Sequence, residues 1–246
     1  MPARDEIIQF LNEHLQVAMF KEYGPNGLQV EGKEEVHKIV TGVSASVELF
    51  ERAAAAGADM VIVHHGILWE KNPLVIKGGY RRRIETLLRN GMTLLAYHLP
   101  LDKHPQIGNN ALAADALQMS NRCEFAEVGW MGDVRPCALD VLLKTVTDFY
   151  GSNPLVFAYG PERIERVGVC SGGAQRSIVE AIDLGLDAFI TGECSEATMH
   201  LAQEGDIHFI AAGHYATERP GIRALGELVE RQFQVAVEFI DLPNPV

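Results

Sequence analysis

The sequence predicts an α/β protein of two similar βαβ-type lobes with largely parallel sheets. Three observations carry this. Short apolar runs at residues 38–43, 58–63 and 93–97 alternate with stretches of helical periodicity, the pattern of strands joined by crossover helices. The run at 58–63 is rich in β-branched and apolar residues with no polar alternation, as in a strand buried on both faces. The same order then recurs after residue 122, which sets expected lobes at 1–122 and 123–246. The C-terminal helix and strand are free to pack back on the first lobe.

Taken in order, residues 5–17 place Ile7, Ile8, Phe10, Leu11 and Leu15 on a helical stripe. The cluster Tyr23-Gly24-Pro25-Asn26-Gly27 is a turn, followed by a short strand at 28–30. A strand at 38–43, a helix at 46–56 and a strand at 59–63 come next. A helix at 82–90 is ended by Gly91, and a strand at 93–97 and a helix at 109–117 follow. The second lobe reads as a helix at 139–150, strands at 155–157 and 166–170, and a helix at 177–184. A strand at 187–191, a helix at 195–203, a strand at 208–212, a helix at 221–233 and a strand at 235–240 complete it.

The lobes also match residue by residue. The stretch from Ala53 to Ile62 lies over that from Ala181 to Ile190 without a gap, which sets His65 over Glu193. One strand later, residues 95–102 lie over 211–218, so His98 falls on His214 and Asp102 on Glu218. Alternation explains the apolar matches. It does not explain a His-x-x-x-carboxylate at corresponding strand ends, and we read an internal duplication.

Those strand ends concentrate the chemistry. His64, His65, His98, Asp102, Glu193, His214 and Glu218 all lie at or just beyond the carboxyl ends of four expected strands, the edge where α/β sheets gather ligands. Adjacent residues on an extended segment point to opposite sides, so His64 and His65 are expected to serve two ions and not to share one. Pro100 makes residues 98–102 a strand end and loop, and Glu218 is expected near a helix start just before Pro220. Imidazoles mixed with carboxylates suit zinc, iron, manganese or cobalt, and two such ions close together can activate water for hydrolysis. His14, His37, His104, His200 and His208 have no such company and are read as structural.

Three totals narrow the function further. No apolar run approaches the roughly 18 residues of a membrane span, and the charged N-terminus is unlike a signal peptide. The four cysteines, Cys123, Cys137, Cys170 and Cys194, form no Cys-x-x-Cys pair, which disfavours a zinc ribbon or a disulfide framework. A cytoplasmic protein is expected. The net charge of −12 disfavours broad nucleic-acid binding, and Arg81-Arg82-Arg83 reads as a solvated helix start. Ser171-Gly172-Gly173 reads as a tight turn, since the phosphate-loop lysine is missing. Arg135 and Arg219 read as surface charges. Trp69 is either a wall for a planar substrate or a packing residue.

The chain resembles the Nif-three-like proteins, also called GTP cyclohydrolase type-2 homologues. The resemblance spans essentially the whole chain. It rests on residues 25–30 (Pro-Asn-Gly-Leu-Gln-Val), His64-His65-Gly66, residues 98–102 (His-Leu-Pro-Leu-Asp), Asn109-Asn110, Thr191-Gly192-Glu193 and residues 213–218 (Gly-His-Tyr-Ala-Thr-Glu). Tyr215 stands where many relatives carry a second histidine. The resemblance implies a two-lobed fold with a dinuclear metal site in the cleft between the lobes, and a ring-shaped homohexamer. It implies that His64 and Asp102 hold one divalent transition-metal ion, His65 and His214 the other, and that Glu218 bridges them. His98 and Glu193 then take a secondary role, as general base or as hydrogen-bond partners at the site.

Two functional readings follow. One is a metal-dependent hydrolase of a nucleotide-like or cyclic-amide small molecule, whose cyclohydrolase character rests on the resemblance alone. The other is a non-catalytic metal-binding, delivery or scaffold protein. A nucleic-acid partner is disfavoured by the acidic balance.

Overall fold

The computed structural model describes residues 1–72 and 74–246. In chain order the elements are α1 (Arg4–His14), β1 (Gly27–Val30), β2 (Lys38–Ser44), α2 (Val47–Ala55), β3 (Met60–His65), α3 (Gly78–Asn90), β4 (Thr93–Ala96), α4 (Leu99–Lys103), α5 (Asn109–Ala116), β5 (Ser120–Phe125) and β6 (Gly129–Cys137). There follow α6 (Leu139–Tyr150), β7 (Leu155–Ala158), β8 (Ile164–Val169), α7 (Ile178–Asp183), β9 (Ala188–Thr191), α8 (Glu196–Glu204), β10 (His208–Ala211), α9 (His214–Phe233) and β11 (Ala236–Phe239). They form two compact units, Met1–Leu101 with Gly221–Leu242, and Asp102–Pro220 with Pro243–Val246.

The first unit holds a five-stranded sheet in the order β1-β4-β3-β2-β11, in which only the β1–β4 pairing is antiparallel. The apolar runs behave as their composition requires: all but one residue of β3 is buried, and all of β4. Ser46 caps α2 by accepting a hydrogen bond from Leu49 N at 3.1 Å. The helix then lays Leu49, Phe50 and Ala53 on Val61, Val63 and Leu94, at about 1.5–3 kcal/mol for each large apolar side chain removed from water. Gly91, at φ 60°, ends α3 in the left-handed conformation that glycine adopts without a Cβ clash.

The second unit holds a six-stranded sheet in the order β5-β6-β8-β9-β10-β7. Here the expectation of a largely parallel sheet is corrected. Only β8–β9 and β9–β10 are parallel, while β5–β6, β6–β8 and β7–β10 are antiparallel. The β5–β6 hairpin escaped the sequence reading because neither strand alternates cleanly and β6 contains Gly132, Asp133 and Pro136. Its core joins Ala113 and Ala114 of α5 to Val134, Leu142 and Val146.

Packing of α5 on this core places Asp102 and residues 102–122 in the second unit, whereas the sequence reading set the division at 122/123. In the first unit, β11 lies parallel to β2. The two units share one succession, helix-strand-strand-helix-strand-helix-strand: α1 to β4 in one, α6 to β10 in the other. They also share a sheet order, β1-β4-β3-β2 matching β7-β10-β9-β8.

Two local expectations are overturned. Residues 99–103 form a short helix, not a loop. Pro100 falls in its first turn, where a missing N–H costs no hydrogen bond. Likewise α9 starts at His214, so Glu218 sits inside the helix and Pro220 at its seventh position. Among the described residues no helix is long and apolar enough to cross a membrane, and all four cysteines are thiols.

Candidate metal centre

In the first unit the ends of β3 and β4 bring His64, His65 and His98 together, with one candidate ligand atom from each within 4.8 Å of the others. The rings of His64 and His65 lie 4.7 Å apart, and that of His98 lies 5.1 Å from the first and 5.4 Å from the second. The expectation that neighbouring strand residues diverge is thus corrected: His65 is the last residue of β3, and its ring comes round beside that of His64. His64 is fully buried and its Nδ1 donates to Tyr97 O at 2.9 Å. A carbonyl only accepts, so the lone pair of neutral His64 is on Nε2, the atom that can ligate. His65 Nδ1 lies 3.1 Å from Ser44 Oγ. His98 Nδ1 is hydrogen-bonded to Glu22, whose side chain is only 2% exposed.

A short segment before β2 supports these histidines. Gln29 Oε1 accepts from Ile67 N at 2.7 Å and Leu68 N at 3.2 Å, fixing the chain just after His64-His65-Gly66. A Cβ on Gly66 would overlap the Gln29 amide, so glycine is needed there for close approach. Asn26 Oδ1 accepts from His98 N at 2.8 Å, and Asn26 Nδ2 donates to Glu22 Oε1 at 2.6 Å. Glu22 was missed by the sequence reading. It lies 76 residues from His98 in a stretch with no local motif.

In the second unit Asp102 and Glu218 are both buried. Asp102 Oδ1 accepts from Asn109 Nδ2 and Ser171 Oγ, each at 2.8 Å, and Ser171 N donates to Asn110 Oδ1 at 2.7 Å. His214 lies between two carboxylates, with Nδ1 at 2.6 Å from Glu193 Oε1 and Nε2 at 3.1 Å from Glu218 Oε1. The last pair is four residues apart on α9, so its members share a helix face. Burial alone lowers the basicity of His214. The hydrogen bonds and charges of Glu218 and Glu193 outweigh it, pushing its pKa up to about 9. Burial, with the nearby charges of Asp102 and Glu218, also pushes the Cys170 thiol well above its ordinary range.

Ser171-Gly172-Gly173, expected to be a tight turn, is a bend and also a seat for the acidic residues. Gly172 has φ +66°, and a Cβ there would overlap Glu218 Oε1. A Cβ on Gly192 would come within 2.6 Å of His214 Cα. Arg219 Nη2 donates to Tyr150 O at 2.6 Å, and Arg135 is exposed. His208 bridges Pro161 O and Gly160 N, and His104 Nδ1 accepts from Gln106 N and Ile107 N, both loop-holding contacts. His14 stacks on Phe10, while His37 and His200 are exposed. Trp69 donates from Nε1 to Gly66 O at 3.0 Å and sets its ring edge-on to His98 at 5.2 Å. Beside it opens a groove of about 730 Å³ lined by Phe20, Glu22, Tyr23, Asn26, Trp69 and Tyr80, among others.

The residues present therefore fit a transition-metal ion: oriented imidazoles in one unit, and a buried carboxylate beside an imidazole in the other. Residues 2–245 match the family described as Duf34/NIF3 (NGG1p interacting factor 3). A GTP cyclohydrolase 1 type 2 homolog of Escherichia coli (strain K12) is 48% identical over 242 residues, 98% of each chain. A solved structure described as protein ybgI, of unknown function, is 47% identical, with a TM-score of 0.95 over 100% of both chains. That of TTHA1606 from Thermus thermophilus is 34% identical, with a TM-score of 0.93 over 100% of both. The chain belongs to the DUF34/NIF3 family.

Proposed function

We propose that the protein is a dinuclear metal-dependent hydrolase acting on a nucleotide-like or cyclic-amide small molecule in the cytoplasm. His64, His65, Asp102, His214 and Glu218 would hold two divalent transition-metal ions, zinc, iron, manganese or cobalt. The observation that carries the reading is the meeting of His64 and His65 at the end of β3, their rings 4.7 Å apart, with the Nδ1 of each beside an oxygen partner. That is how histidines are oriented for ligation through the other nitrogen. Bound there, the ions would supply Lewis acidity and lower the pKa of water for attack on a C=N, amide or phosphoester centre.

The chain's own residues do the rest. Asn109 and Ser171 hold Asp102 by one oxygen. Glu193 holds His214 by its Nδ1. His98 accepts a proton at the site, and Trp69, Tyr23 and Tyr80 offer aromatic faces along the groove for a planar ring. The name borne by the Escherichia coli relative supports a nucleotide-like substrate. We also place the protein in a homo-oligomer, a hexameric ring, supported by the family resemblance and by the exposed apolar run Leu74, Val75 and Ile76.

The test is elemental analysis of protein purified anaerobically without chelator, wild type beside Glu218→Gln. The expected result is about two transition-metal ions per chain, with at least one lost in the variant. Wild-type protein that carries none and takes up none on reconstitution overturns the reading.

A further inference from the structure

His98 is backed by a buried carboxylate, and the surrounding contacts dictate which of its nitrogens is basic. We propose that Glu22, aligned by Asn26, is a positioning residue that holds neutral His98 with its proton on Nδ1 and presents Nε2 as the acceptor. This rests on the role given to His98 above and names what fixes it.

The argument is one of donors and acceptors. The backbone N–H of His98 can only donate, so the atom of Asn26 facing it at 2.8 Å is the side-chain oxygen. The amide nitrogen of Asn26 then faces Glu22 Oε1, at 2.6 Å. Both oxygens of an ionised Glu22 accept, one from Asn26 and the other from His98 Nδ1. The ring is thus anchored twice through the same pair, once by its backbone and once by Nδ1. Trp69 lies edge-on against it. His214 in the second unit has the same arrangement, its Nδ1 facing Glu193.

A single substitution inverts this polarity. In Glu22→Gln the amide nitrogen of Asn26 stays pinned as a donor, so the Gln carbonyl turns toward it. The Gln NH₂ then faces His98 Nδ1, which must accept. Neutral His98 would carry its proton on Nε2 and lose its acceptor at the cluster.

The experiment is a long-range ¹H–¹⁵N correlation spectrum of the full-length, metal-free protein at alkaline pH, where the imidazoles are neutral. The His98 ring is assigned by its loss in His98→Gln. Wild type is expected to show the Nδ1–H tautomer, which tests the first half of the proposal without a positional variant at Glu22. Glu22→Gln is expected to show the Nε2–H tautomer, a change that simple loosening of the fold does not produce. An Nε2–H ring in wild type, or the same tautomer in both proteins, overturns the proposal. Titration with Zn²⁺ alone supplies the second readout. Glu22→Gln should take up as many ions as wild type, and loss of an ion would make His98 a ligand and overturn its role as acceptor. If wild type binds no metal, the hydrolase reading fails while the tautomer result stands.

Discussion

Gly172 offers a sharp test of where Glu218 sits. Replacing it with alanine does two separable things. The residue has φ +66°, and an L-residue held in the left-handed region costs about 1–2 kcal/mol. The new Cβ also overlaps Glu218 Oε1. Because that atom ends a flexible side chain, the carboxylate moves and the backbone stays. Moving it forfeits the 3.1 Å contact with His214 Nε2, and a buried hydrogen bond to a charged group is worth about 1.5–3 kcal/mol. The total is about 2.5–5 kcal/mol.

Gly185, in the same unit, is the matched control. Its φ is +65°, and the nearest atom to an added Cβ is Arg166 Nη1 at 3.9 Å, an ordinary contact. Gly185→Ala should therefore cost only the backbone share, about 1–2 kcal/mol. Calorimetry of the metal-free proteins reads the difference, at about 2–4 °C per kcal/mol for a chain of this size. Metal uptake reads the displacement directly: Gly172→Ala should lose at least one ion, and Gly185→Ala none. Equal melting shifts with wild-type uptake in both variants would refute the placement of Glu218 against Gly172.

Three further outcomes are expected. Gln29→Leu leaves the Ile67 and Leu68 amides without their acceptor, so it should cost about 1–3 kcal/mol and speed hydrogen exchange at those two amides ahead of the amides of β3. Burial tends to raise the Asp59 carboxyl, but Lys33 Nζ at 2.7 Å and His37 N at 3.0 Å hold it below its ordinary range. Its stabilisation is therefore complete above about pH 4 and is lost as pH falls through the lower folded value, so urea midpoints measured against pH should flatten on the acid side in Asp59→Asn. Phe189 is fully buried and packs edge-on to Phe125 at 5.3 Å and Phe209 at 5.6 Å. Phe189→Ala should lower stability by about 3–5 kcal/mol in chemical denaturation.

What was legible in the sequence followed from periodicity and strand ends. The strands β2, β3, β4, β9 and β10 announce themselves as largely apolar runs, and the histidines and acids just beyond them stand out because α/β sheets place ligands there. What was hidden depended on tertiary context. The β5–β6 hairpin has weak local β signal and is held by its antiparallel partner β8. Pro100 read as a helix breaker, yet it occupies the one turn of α4 that tolerates it. The approach of His64 to His65 depends on β3 ending at His65 and on Gln29 bracing the chain beyond it, which alternation along a strand does not encode. Glu22 could have been suspected only by asking what a half-buried histidine beyond a strand end would need behind it.

The shared strand order makes that last question answerable. In the sequence His98 falls on His214 when residues 95–102 are laid over 211–218. In the second unit the carboxylate behind the strand-end histidine is Glu193, just after β9. The sequence alignment sets His65, the last residue of β3, over Glu193. A neutral His98 with Nε2 as acceptor still needs an oxygen at Nδ1. That oxygen comes from Glu22, ahead of β1, held at the required angle by Asn26. His65 at the end of β3 thus stands beside His64, and the carboxylate behind His98 is supplied from another segment of the same unit.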